Sequence, residues 1–203
     1  MSPVYNSIVK RKGWVIFALI AGIVAVSDSP SLAAGEAEGS AAIEPIPLTH
    51  ASFRGFGQVV EVSDTAKTTS ESAIHKYWAG VAKTRIHENI DFGLLLVKPR
   101  EHQVAELCRH AKTTTLLVSL REDYLLVVAS PTPSSARRAY PDPKKVKVFM
   151  VAKDQAVILN KGVWHALPFV GSKEGLFLLA YRDGTARGDS NEKPFKKGEV
   201  IKF

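Results

Sequence analysis

The chain holds one cysteine in 203 residues, Cys108, so no internal disulfide can staple it, and a lone thiol of this kind is expected to be buried. It has no Gly-rich phosphate loop and no dinucleotide fingerprint, which removes the common nucleotide-binding classes. No G-x-S-x-G elbow occurs, and Cys108 has a basic neighbour in Arg109 but no catalytic signature around it. Neither H-x-H nor H-E-x-x-H is present, so no ready pair of histidine metal ligands stands in the sequence. A dense basic stripe with interleaved aromatics is missing too, which argues against nucleic acid as a partner.

No apolar run reaches the roughly 18 residues that a spanning helix needs. The longest, WVIFALIAGIVAV from Trp14 to Val26, follows Lys10, Arg11 and Lys12 and precedes Asp28, Pro30 and the small residues Ser31 to Ala33. That order reads as a cleaved secretory signal over residues 1–33, bacterial in style, which places the mature protein in the periplasm or outside the cell. Its removal leaves 24 Lys and Arg against 19 Asp and Glu, a mildly basic and solvated surface. Residues 34–46 (AGEAEGSAAIEPI) are small, acidic and without an apolar face, and read as a linker to one domain over 47–203.

Thr49 is a plausible N-cap for a short helix through Phe53 and Arg54, and GQVVEV follows as a strand. Beyond the polar loop Ser63 to Ser72 the period is mostly two. Strands are expected over Tyr77 to Thr84, Phe92 to Lys98, Thr114 to Leu120, Tyr124 to Ser130, Val146 to Val151, Gln155 to Leu159, Val163 to Leu167 and Leu176 to Tyr181. Asn160-Lys161-Gly162 has the chemistry of a tight hairpin turn between two of them. Pro131 to Pro143, with four prolines, is an irregular excursion. His102 to His110 fits a helix and a strand equally well by period. Many short strands with scarcely any helix imply an all-β barrel or sandwich. YLLVVA is apolar on both faces and needs cover on each, which favours the barrel.

Polar groups at the ends or middles of apolar strands are the candidates for chemistry: Arg109 with His110, Lys161, His165, and Tyr181 with Arg182. Converging in a barrel mouth, such cations suit a small carboxylate ligand, since a guanidinium can hold it through two hydrogen bonds. No cofactor is expected. The alternative is a divalent metal on His110 and His165, with Glu106 as a third ligand.

Four stretches resemble the ureidoglycolate lyase family: LTHASFRGFGQVVE, LCRHAKTTTLLVSLREDYLLVVA, VFMVAKDQAVILNKGVWHALPF and FLLAYRDG. The G-V-W-H tetrapeptide is the most specific of the matches. The resemblance implies a cupin-like β-barrel or jelly roll with a short N-terminal helix, and a strand rather than a helix over His102 to His110. It carries over Arg109, His110, Gly162, Trp164, His165, Arg182 and Gly184. It also implies cleavage of ureidoglycolate to glyoxylate and urea, with His165 and His110 moving protons and Arg109, Arg182 and Lys161 binding substrate. By the strand pleat Trp164 and His165 face opposite sides, and His165 is the one expected inside.

This chain departs from the family pattern at Thr113 to Thr115, at Leu159 and Asn160, and at Tyr181 and Asp183. Those departures support a second reading, a non-catalytic exported barrel that binds a small anion or a protein. The expected partner is a small carboxylate-bearing molecule. Nucleic acid is not expected, the membrane is met only during export, and a homodimer is compatible with the sequence.

Overall fold

A computed structural model of the chain describes residues 42–63, 65–133 and 139–203. The export signal expected over 1–33 lies outside the described residues. Among the described residues no helix is long and apolar enough to cross a membrane.

The chain runs through β1 (Ile46–Pro47), α1 (His50–Phe53), β2 (Gly57–Val60), β3 (Ser70–Glu71), β4 (Lys76–Tyr77), β5 (Ile90–Val97), β6 (Gln103–Val104), β7 (Glu106–His110) and β8 (Thr115–Ser119). It continues through β9 (Tyr124–Ala129), β10 (Val146–Val151), β11 (Ala156–Leu159), β12 (Trp164–His165), β13 (Phe169–Val170), β14 (Gly175–Arg182), α2 (Thr185–Gly188), β15 (Ser190–Pro194) and β16 (Ile201–Lys202). One sheet has the order β1-β10-β9-β12-β7-β15, with β13 also on β9, and a second has the order β2-β11-β8-β14-β5. The all-β, cupin-like barrel expected from the sequence is thus formed by two sheets around a shared core.

That core draws on both sheets: Leu126, Val128 and Phe149 from the first, and Val59, Leu117, Val157 and Phe177 from the second. Phe53 plugs it from α1, its ring 5.2 Å from Phe149 and nearly perpendicular to it. α1 starts where Thr49 accepts from the backbone of Ser52 while the Ser52 hydroxyl accepts from the backbone of Thr49, a reciprocal cap that satisfies two otherwise orphaned donors. A second cluster lies on the opposite face of the first sheet and contains Leu107, Val127, Ala129, Val148, Trp164, Phe169 and Phe195. YLLVVA needs cover on both sides because Leu126 and Val128 serve one cluster while Val127 and Ala129 serve the other.

Three expectations are corrected. Asn160-Lys161-Gly162 does turn tightly, with Gly162 at φ +77°, but it is not a hairpin. It carries the chain out of β11 in one sheet and into β12 in the other, so it is a corner of the barrel. Of Tyr77 to Thr84 only Tyr77 belongs to a strand; Gly80 at φ +69° breaks extended pairing, and the Gln58 side chain holds the backbone of Lys83 instead. Residues 42–46, read as linker, join the domain: the backbone N–H of Ile43 donates to Lys202 and Ile46 pairs in parallel with Phe149.

Candidate functional site

The parity of two short strands builds the site. His165 of β12 stands opposite Cys108 of β7 on one side and opposite Val128 of β9 on the other. Directly opposite residues share a face, and Val128 belongs to the core between the sheets. His165 therefore faces inward, and so do Cys108 and, two residues along β7, His110. Trp164 faces outward, fully buried in the second cluster. The inward orientation expected for His165 is the one observed.

These side chains line a cavity of about 520 Å³ together with Leu179 and Tyr181 of β14, Glu192 of β15 and Arg100. The rings of His110 and His165 have centroids 5.1 Å apart, and that of Tyr181 is 6.1 Å from His110. A larger cavity of about 910 Å³ holds His102, Tyr124 and Asp154 but brings no two imidazoles together.

Each imidazole is oriented by a backbone carbonyl. His110 Nδ1 lies 3.2 Å from the carbonyl of Asp189, and His165 Nδ1 lies 3.0 Å from that of Val163. A carbonyl only accepts, so both Nδ1 atoms carry the hydrogen, and in the neutral rings both Nε2 atoms hold a lone pair. Burial, reinforced by the charge of His110, pushes the His165 pKa down to about 4, so its ring is neutral near pH 7. The Cys108 thiol is pushed up to about 11, first by burial and then by the Glu192 carboxylate. Burial, followed by Asp91, raises Tyr181, which keeps its phenolic proton. Cys108, His110 and His165 each offer one ligand atom, and the three lie within 4.8 Å of one another.

Asp189 locks the turn that follows His110. Its carboxylate accepts from the backbone N–H groups of Ala111 at 3.0 Å and Lys112 at 2.8 Å, while its own carbonyl holds the His110 ring. Nothing in the sequence marks this residue, because it acts through a backbone pairing made only in the fold.

The expected substrate cations do not reach the cavity. Arg109 follows Cys108 and so faces outward; it is 3% exposed, its guanidinium carbon 4.6 Å from the Trp164 ring centroid and Nη1 donating to the Thr132 carbonyl and hydroxyl. Trp164 Nε1 donates to the same hydroxyl, so Thr132 ties the pair together. Arg182 follows Tyr181 onto the other face of β14 and pairs with Glu88 at 3.1 Å. Lys161 is exposed at the barrel corner. Glu106 lines the cavity, but the third atom within metal range is the Cys108 sulfur rather than its carboxylate. The cation that does line the cavity is Arg100, which sequence reasoning missed. It stacks 3.5 Å over the Phe169 ring and donates to the carbonyls of Leu167 and Pro168.

A family model described as ureidoglycolate lyase matches residues 40–202. A ureidoglycolate lyase of Azotobacter vinelandii (strain DJ / ATCC BAA-1303) is 26% identical over 143 residues, which span 68% of this chain and 83% of that protein. Among solved structures, a dTDP sugar isomerase from Desulfovibrio desulfuricans G20 aligns at a TM-score of 0.42 and 12% identity, over 70% of this chain and 84% of that one. A mutant of Bacillus subtilis oxalate decarboxylase aligns at 0.36 and 14% identity, over 53% of this chain and 24% of that one.

Proposed function

The chain belongs to the ureidoglycolate lyase family, and on that footing we propose that it is a carbon–nitrogen lyase that cleaves ureidoglycolate, or a related small hydroxy- or ureido-acid, in the cavity between β7, β12 and β14. The observation that carries the reading is the convergence of His110 and His165, each fixed by a carbonyl so that a lone pair is offered to the cavity. In the reaction, a base takes the hydroxyl proton of the carbon that bears the ureido group. The O–H electron pair becomes the second C–O bond, the C–N pair leaves with nitrogen, and an acid returns a proton to that nitrogen. Glyoxylate and urea result, with atoms and charge balanced.

His110 Nε2 is the acceptor in this scheme and Tyr181, which keeps its proton, the donor. Arg100 takes over the carboxylate from Arg109, Arg182 and Lys161. Its bonds to Leu167 and Pro168 use two of its five N–H groups. Read as an export signal, the segment from Lys10 to Ala33 supports an activity outside the cytoplasm.

Glyoxylate release from ureidoglycolate by the purified chain is the test. His110→Ala should abolish it and Arg100→Ala should raise KM. Absence of release above the uncatalysed rate ends the lyase reading. The outward position of Arg109 and Arg182 favours the other reading, a non-catalytic barrel for a small anion. Stabilisation by glyoxylate or oxalate in thermal shift, without turnover, would support it.

A further inference from the structure

We propose that the larger cavity, of about 910 Å³, is a second ligand site and takes an aliphatic amine such as a short alkyl diamine. The inference does not depend on the lyase reading. Its polar groups, Glu61, Asp123, Asp154 and Tyr124, lie outside the smaller cavity.

Strand ends build this cavity. β9 begins in it at Tyr124, β10 ends in it at Val151, and the segment after β2 contributes Glu61 and Val62. Its floor is apolar, with Leu48, Val151 and Val170 all buried. Val62 and Met150 are about half exposed at its rim. The volume lies within the roughly 300–1,000 Å³ of small-molecule sites. Such a floor suits the aliphatic part of a ligand and does not by itself select a head group.

Charge selects it. The chain carries a formal net charge of +7, yet this cavity has Glu61, Asp123 and Asp154 on its wall and neither lysine nor arginine. Its one basic side chain, His102, stacks on the Phe203 ring at 5.6 Å. Asp123 accepts from the backbone N–H of Lys153, and Glu61 accepts from Gln155 and meets His50 at 3.3 Å. The Asp154 carboxylate makes no hydrogen bond or ion pair among the described residues. Carboxylates gathered over an apolar floor concentrate negative potential, so an anion is repelled and a cation on an aliphatic stem fits wall and floor together.

Tyr124 supplies an observation independent of charge. It lines the same cavity, is 3% exposed, and its hydroxyl has no hydrogen-bond partner among the described residues. The large majority of buried side-chain polar atoms are paired, so an orphan on a cavity wall points to a donor that comes with a ligand. An ammonium group donating to the phenol oxygen would satisfy it. The group that burdens the empty protein would then serve the loaded one.

The test is calorimetric titration of the purified full chain with cadaverine, with pentanol and pentanoate as neutral and anionic controls. Expected are one amine per chain, an affinity that falls with added NaCl, and no saturable binding of either control. Asp154→Asn should weaken the amine about tenfold, as loss of a charge-assisted hydrogen bond does. It should do so in a folded protein, since that carboxylate holds nothing else in place. Tyr124→Phe should weaken binding about fivefold while raising the unfolding midpoint of the ligand-free chain, two effects of opposite sign that general damage to the fold would not produce. Glu192→Gln, in the smaller cavity, should leave the affinity unaltered. Absence of saturable binding at millimolar cadaverine overturns the proposal, as does an affinity unchanged by Asp154→Asn or by Tyr124→Phe. Binding lost in Glu192→Gln overturns it too, because the amine would then sit in the other cavity.

Discussion

Tyr124→Phe should make this protein more stable. The Tyr124 ring is 3% exposed and meets Phe177 edge-on at a centroid distance of 5.1 Å and an interplanar angle of 82°. Its hydroxyl is buried with no hydrogen-bond partner among the described residues, and burial raises its pKa. A hydroxyl stripped of water and left unpaired costs about 1–3 kcal/mol. Phenylalanine keeps the ring, the edge-on contact and the fit to the core while deleting the orphaned group. The gap left by one oxygen gives back part of the gain, so a net stabilisation of about 1 kcal/mol is expected. In a domain of this size that raises Tm by about 2–4 °C. Urea unfolding followed by circular dichroism is the assay, with the slope unchanged and the midpoint higher. Tyr124→Ala is the control and should lose about 3–5 kcal/mol, because it removes the ring as well. If Tyr124→Phe instead lowers the midpoint by about 1 kcal/mol or more, the hydroxyl has a partner and the reasoning fails.

Two further outcomes test the fold beneath the site. A Cβ at Gly57 would stand 1.9 Å from the carbonyl oxygen of Ile158, a backbone atom that cannot swing away, so Gly57→Ala should force β2 off β11 and cost about 3 kcal/mol in chemical denaturation; an unchanged midpoint would refute it. Arg109→Lys should lose the stack on Trp164 and the paired bonds to Thr132, about 1–2 kcal/mol of stability, while leaving the KM for ureidoglycolate unaltered. A changed KM at full stability would return Arg109 to the cavity.

Most of the strands were legible because their alternation is a direct record of which side chains are buried. Val146 to Val151 coincides with β10, and the two-sided apolar run Tyr124 to Ala129 announces a strand covered on both faces. β15 was not legible: Ser190 to Pro194 is polar, and its place comes from backbone pairing along β7, which leaves no hydrophobic trace. The role of Asn160 to Gly162 as a corner was hidden for a related reason. A tight turn has the same local chemistry whether its two strands pair with each other or part into different sheets.

At the site, the pleat limited Trp164-His165 to one inward member, and His165 was the one expected. Applied equally to Arg109-His110 and Tyr181-Arg182, the same rule would have kept both members of either pair from sharing the cavity. Arg100 gave no signal, since it lies in the segment between β5 and β6 and reaches the cavity only through tertiary contact with Phe169 and the Leu167–Pro168 carbonyls.

The alternation along β7, β12 and β14 also bears on how this barrel can change its trade. Cys108, His110, His165, Leu179 and Tyr181 open on the cavity, while their immediate neighbours Arg109 and Trp164 brace the outer layer. Substitutions at every second position can therefore rewrite the chemistry while the intervening positions go on holding the sheet together. A combinatorial library confined to those five cavity positions should yield mostly folded proteins with altered ligand preference. The same five changes shifted by one residue should yield mostly insoluble chains.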